Sequence, residues 1–327
     1  PPRLDSSAAS DVYKRQAMKR SALFLGLLAL AVIWSPPLPG QDPGDDELRR
    51  KLALQAYEGH LAKLDSADTV ERARAVEGMG RTGVEKGVLP LLRRGEEEPK
   101  AYIVRLIGEA AVRLDAVRTF ELLRQAVARG ADGSSLLERN LVILLRECPD
   151  PAAGELLLDR FKGTADKKVW LEVIRAIGML KLEKGIPLVK HALGNKDLDV
   201  KNAAAVAAGH LASIDLVPAL LGGLEQTDGF HCKFAAWALT RMDDPGVFPQ
   251  VQSRLGSASG ESGEAKAKAL EGTAREEHVD RLVAILSASK SREYREAAAV
   301  ALGRLGVRTK EVQDCLLYTS DAADESS

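Results

Sequence analysis

His231 and Cys232 stand side by side in this chain, with His191 and His210 upstream. Imidazole and thiolate are metal-binding groups, and a site built from them needs three or four ligands converging at about 2 Å. No CxxC or HExxH spacing brings these residues together. They are expected to pack or lie exposed singly, with no metal and no cofactor. A nucleophile elbow of the GxSxG type is absent as well. The glycine-rich run GMGRTG at 78–83 falls on a helix end and not on a phosphate-binding loop. The chain is therefore expected not to be an enzyme.

Basic side chains are the remaining candidates. Arg93, Arg124, Arg160, Lys190, His191, Arg254 and Arg281 recur along the chain. A row of cations would recognise an acidic peptide or polyanion through charge-assisted hydrogen bonds. Glu121, Asp159, Glu225 and Asp280 fall among them and dilute the charge. Whether these residues form a row depends on the elements that carry them.

Those elements repeat. VWLEVIRAIGMLKLEKGIPLV begins at Val169, VKNAAAVAAGHLASIDLVPAL at Val200 and HCKFAAWALTRMDDPGVFPQV at His231, 31 residues apart each time. Gly178, Gly209 and Thr240 fall in register, as do Pro187, Pro218 and Pro249. ERARAVEGMGRTGVEKGVLPLL, with Gly80 and Pro90, is an early copy, and YREAAAVALGRLG, with Gly303, is a late one. Weaker copies lie around Gly108, Leu145 and Ala274. Each unit spells a helix pair. A polar residue such as Asp199 precedes the first helix and can cap it. Val200, Ala203, Ala204, Ala207 and Ala208 then follow helical spacing. The glycine allows close approach of a neighbouring helix or a left-handed cap. Proline sits in the first turn of the second helix, where its missing N–H costs little. Such short pairs bury their apolar faces only by stacking. Trp170 and Trp237, on first helices, are expected to pack between neighbours.

The pattern Val/Tyr-Lys/Arg-x-x-Ala-x-x-x-Leu/Ala-Gly, followed by a Pro-led helix, resembles the short HEAT-like repeat of the type named after phycobilisome lyase subunits. The resemblance covers 65–313 and is loose at 98–163 and 258–289. It implies an all-α fold, a right-handed α-α superhelix of about eight helix pairs, with the last unit cut short. It also implies that the second helices, which carry the cations above, line the concave face. A bilin-handling role is not implied, because the namesakes share only the repeats and work in the cytoplasm. The stretch 41–64 is expected to be an N-terminal capping helix, with Leu48, Leu52, Ala56 and Leu61 on its apolar stripe. Stacked pairs are spaced by about one helix diameter, ~10 Å. Cys148 and Cys232, three units apart, are thus too distant to form a disulfide.

The two ends carry a different signature. SSAASDVYKRQ, back-translated with one allowed codon per residue, has a complementary strand that reads CLLYTSDAAD after a one-base shift. Both resemble the adapter of transposase-based sequencing libraries, so 1–16 and 315–327 are expected to be translated adapter. The native chain is then expected to start at Met18 and to continue past Gln313. Met18-Lys19-Arg20, the apolar run Ser21–Trp34 and SPPLPGQD have the order of a signal peptide at 18–40. The apolar run is shorter than the ~20 residues of a membrane span. Lys+Arg number 46 against 47 Asp+Glu, so no global field favours nucleic acid or a membrane surface. The reading is a bacterial, exported, monomeric scaffold, periplasmic or extracellular, that binds a protein or peptide through the concave face of its second helices. The alternative is the repeat arm of a larger enzyme whose catalytic domain lies beyond the C-terminal end.

Overall fold

The computed structural model describes residues 43–307, apart from 131–132, 226–228 and 257–259. The expected leader at 18–40 and both adapter-like ends lie outside the described residues. The described residues form α-helices and short 3-10 turns, with no strand. Helix α1 spans Pro43–Leu61. Seven helix pairs follow: α2 (Thr69–Arg81) with α3 (Val88–Glu97), α4 (Ala101–Leu114) with α5 (Ala116–Arg129), α6 (Ser135–Arg146) with α7 (Pro151–Phe161), α8 (Lys167–Met179) with α9 (Ile186–Leu193), α10 (Leu198–Leu211) with α11 (Val217–Gly223), α12 (Gly229–Thr240) with α13 (Val247–Ser253), and α14 (Gly260–Thr273) with α15 (Val279–Ala288). Helix α16 (Arg292–Arg304) is the first helix of an eighth unit. The result is the all-α solenoid that the repeats predict.

Local chemistry starts and stops each helix. The Asp166 carboxylate accepts from the N–H groups of Lys168 and Val169, at 2.8 and 3.0 Å, and caps α8. In the next unit the cap is Asp197, not the expected Asp199. It accepts from Asp199 and Val200, at 3.0 and 3.3 Å, because α10 begins at Leu198. Asp199 lies inside the first turn and binds Lys167 Nζ at 2.9 Å. Pro90, Pro187, Pro218 and Pro249 all fall in the first turn of a second helix. In the loosely matching second unit the link shrinks to one residue. Asp115 ends α4 and caps α5 by accepting from Arg118 N–H at 2.9 Å.

The repeat glycines serve close approach. A Cβ on Gly178 would stand 2.6 Å from Ala207 Cα, and one on Gly80 would stand 3.0 Å from Ala110 Cα. On Gly209 it would meet the Trp237 ring at 2.4 Å, and on Gly108 the Glu147 side chain at 2.9 Å. The left-handed turn that ends the first helix comes three residues later, at Gly83, Lys181, Ala212 and Gly306. After Lys181 the N–H of Leu182 donates to the Ile177 carbonyl at 2.9 Å, which closes a Schellman turn.

These close approaches set the curvature. Each first helix packs extensively on the next, in the order α2, α4, α6, α8, α10, α12, α14, α16. The second helices, shorter and tipped by bulkier side chains, touch one another far less. A stack crowded along one row and splayed along the other bends toward the crowded row. The first helices form the crowded row, called the inner row, and the second helices the splayed, outer row. Glycine lets the first helices close up at Gly80–Ala110 and Gly178–Ala207.

One apolar cluster runs the length of the stack, from Tyr57 to Leu302. Helix α1 packs on α2, but not through its expected stripe. Leu48 and Leu52 are 55% and 56% exposed, and Leu61 is also exposed. The contact is made instead by Tyr57, by Leu64 just beyond the helix, and by His60, whose ring lies against Gly78.

Candidate functional site

The seven cations lie on second helices or, for Arg254, just past the end of one. All are exposed. Arg124 is paired within its own helix to Glu121 at 2.9 Å, a contact that raises the guanidinium and lowers the carboxyl. Arg254 binds Glu225 at 2.9 Å, and Arg281 donates to Gln252 Oε1 at 3.3 Å. Arg160 lies 5.9 Å from the centroid of its neighbour Phe161. Arg93 and Lys190 sit on the same outer row, while His191 edges a shallow cleft beside Trp170 and Asn195. Exposed pairs of this kind contribute little energy. On the splayed row they link one second helix to the next and meet solvent.

The histidines and cysteines are dispersed. His231 is buried, with Nδ1 3.1 Å from Asn202 Oδ1. His210 meets the edge of Trp237 at a centroid distance of 5.6 Å. Cys148 and Cys232 are free thiols, both buried. Burial, followed by the nearby Asp150 and Glu147 charges, pushes the Cys148 thiol up to about 12. Burial raises Cys232 as well. Among the described residues no group of three His, Cys, Asp or Glu is placed to hold a metal ion. No helix among them is long and apolar enough to cross a membrane.

A broad groove lies on the inner row. It crosses α12, α14 and α16 and has a volume of about 870 Å³. Alanines, chiefly Ala236, Ala265 and Ala297, form its floor. Two large apolar side chains remain open to it: Trp237, 37% exposed, and Val300, 41% exposed. The Trp237 ring is held by His210 on one side and by the Arg241 guanidinium, 5.4 Å from its centroid. Trp237 was expected to be packing alone, and it is instead both wall and exposed surface. Trp170 is half-buried against the core.

The sequence points to Trp237 only as packing and does not single out Val300, yet a signal for this face is present in it. Arg175, Val206, Trp237 and Lys268 occupy one place of the repeat, 31 residues apart, and Leu171, Asn202, Lys233 and Glu264 occupy another. The place just before the first of these holds Ile174, Ala205, Ala236 and Ala267. Chemistry that changes at a fixed place marks a surface freed from packing.

Residues 154–240, from α7 to the end of α12, match the family model described as HEAT repeats. Those residues are HEAT-like repeats, and the helix pairs on either side continue the same array. No curated protein matches it. Among solved structures, human deoxyhypusine hydroxylase in complex with glycerol is similar over 82% of this chain and 100% of that chain. Its identity is 15% and its TM-score 0.35, too distant a likeness to bear on activity.

Proposed function

We propose that this HEAT-like repeat protein is an exported, non-enzymatic, monomeric scaffold that holds a protein partner along its inner row of first helices. The groove across α12, α14 and α16 carries this reading. A concave surface with exposed Trp237 and Val300 above a floor of alanine has the make-up of a protein-contact patch, in which aromatic anchors supply most of the binding energy. The near-balanced charge, 46 basic against 47 acidic residues, favours a protein over nucleic acid. Export rests on Met18-Lys19-Arg20 and the apolar run behind it.

A photo-crosslinking amino acid placed at Val300, on the inner row, or at Arg254, on the outer row, tests the binding face in cells that produce the full chain. Adducts with one envelope protein are expected from position 300 and not from 254. Adducts from 254 alone, or from neither, contradict the reading. Fractionation of the same cells tests export, and a chain retained in the cytoplasm contradicts it.

A further inference from the structure

We infer that the first three units form one cooperative block that opens as a whole, with Glu98 as the residue that joins its helices, while the later units couple only to their neighbours. The block is a stiff base on the N-terminal side of the array.

Glu98 stands just past the end of α3 and is fully buried. Its carboxylate accepts from Arg72 on α2, from Arg94 on α3 and, at 3.0 Å, from the N–H of Lys100 at the start of α4. Its main-chain carbonyl is held from the other side by α6. Asn140 Nδ2 donates to that carbonyl and to those of Gly95 and Glu96 on α3. Arg139 Nη2 donates to it as well, at 3.3 Å, and to the Pro99 carbonyl at 3.2 Å. Asn140 is also fully buried and uses both ends of its amide. Its Oδ1 accepts from Arg139 Nε at 3.1 Å and Nη2 at 2.8 Å. Four helices of three units thus meet on one residue.

Where each unit of a solenoid touches only its neighbours, stability sums over units and interfaces, and an opening spreads to the units beside it. The first three units depart from that rule. Helix α3 of the first unit packs on α6 of the third, and among the described residues no other second helix packs comparably on the first helix two units on. Later side-chain links join neighbours: Arg146 with Glu172 at 3.1 Å, Lys184 with Glu155 at 2.7 Å, and Arg254 with Glu225 at 2.9 Å. Tyr294 Oη and Ser262 Oγ donate to the carbonyls of Leu255 and Leu224, both at 2.6 Å. Each is a single bond to the link ahead of the neighbouring first helix. Removing one member of a buried polar network leaves the rest desolvated and unpaired, so its members are lost together. Pulling α2, α3, α4 or α6 from the junction strands the other three, and the units open in one step. The groove across α12, α14 and α16 lies outside the block.

Hydrogen exchange of the full chain, followed by mass spectrometry, reads how far an opening spreads. In the unaltered chain the best-protected amides of α2, α3, α4 and α6 are expected to share one protection factor. N140L is expected to speed exchange at least tenfold in α2, two units before the change, and less than twofold in α10, two units after it. R139A, a milder change at a half-buried side chain, is expected to give the same asymmetry at smaller size, and carries the test by itself if N140L does not fold. Y294F is expected to speed exchange in α14 and α16 and to leave α2 unchanged. Equal effects on α2 and α10, an effect confined to α3 and α6, separate protection factors for α2 and α6 in the unaltered chain, or a Y294F effect that reaches α2 each overturns the block.

Discussion

The strongest residue-level device in this array is the buried ion cluster between the first three units. Glu98 is fully buried and accepts from Arg72 Nε at 3.0 Å, Arg72 Nη2 at 3.2 Å and Arg94 Nη2 at 2.7 Å. Beside it, Asn140 Nδ2 donates to the carbonyls of Gly95, Glu96 and Glu98, at 2.9, 3.2 and 2.9 Å. The inter-unit turn is thus tied to the third unit by a side chain that no apolar residue can replace. Asn140→Leu is expected to lower stability by about 1–3 kcal/mol, the cost of leaving buried carbonyls without donors, as read from urea unfolding. At the other extreme, Ala212 holds a left-handed conformation at φ 52°, where Gly83 and Gly306 stand in the first and last units. Ala212→Gly is expected to raise stability by about 0.5–1 kcal/mol through relief of that strain, measured in the same way. His278 stacks on Phe248 at 4.2 Å, and its Nδ1 accepts from Arg275 N–H at 3.1 Å. Burial holds His278 and His60 below the ordinary 6.5; the Glu277 carboxylate opposes it at His278, and nearby cations add to it at both. A depressed histidine favours the folded state in its neutral form. That contribution is complete above about pH 6.5 and is lost as pH falls from there toward the lower folded value. The unfolding midpoint is expected to drop between pH 7.5 and 5, and H60Q/H278Q to show a smaller drop. An unchanged pH dependence in the double variant would assign the effect to other groups.

At the scale of the element, the unit of construction is a first helix thinned by alanine and glycine. Its neighbour approaches until Ala207 Cα would lie 2.6 Å from a Cβ on Gly178. Because that atom is backbone, no side-chain rotation relieves the clash. Gly178→Val is expected to cost about 2–4 kcal/mol and to uncouple α8 from α10, so that unfolding loses its single transition. Gly83→Ala, by contrast, meets open space and is limited to the left-handed strain, about 1–2 kcal/mol. Helix pairs and their start and stop signals were legible in the sequence because Gly178, Gly209, Pro187 and Pro218 punctuate them in strict register. The cap at Asp197 was missed because two aspartates lie two residues apart, and the earlier one wins the helix start. The α1 stripe failed for a different reason. Leu48 and Leu52 have helical spacing, but the contact with α2 reaches only as far as Tyr57 and His60, so periodicity had no surface to match.

For the whole molecule, the question hidden from periodicity was which row of helices lies inside. A pair of helices carries two apolar faces, and single-unit patterns do not say which row closes up more tightly. The difference lies across unit boundaries, where Gly80, Gly178 and Gly209 admit the next first helix and, among the described residues, no such contact joins the second helices. That asymmetry moves the candidate site from the paired cations of the outer row to the groove at Trp237 and Val300. The account therefore stands on curvature, and a pair of distances measures it. Spin labels at Arg175 and Lys268 report the inner row across three units, and labels at Lys190 and Arg281 report the outer row across three units. The native thiols do not compete for label, because Cys148 and Cys232 are buried and Cys148 is pushed up to about 12. Pulsed electron resonance is predicted to give a shorter distance for the inner pair than for the outer pair. A longer inner distance would place the second helices on the concave side and contradict the assignment of the binding face.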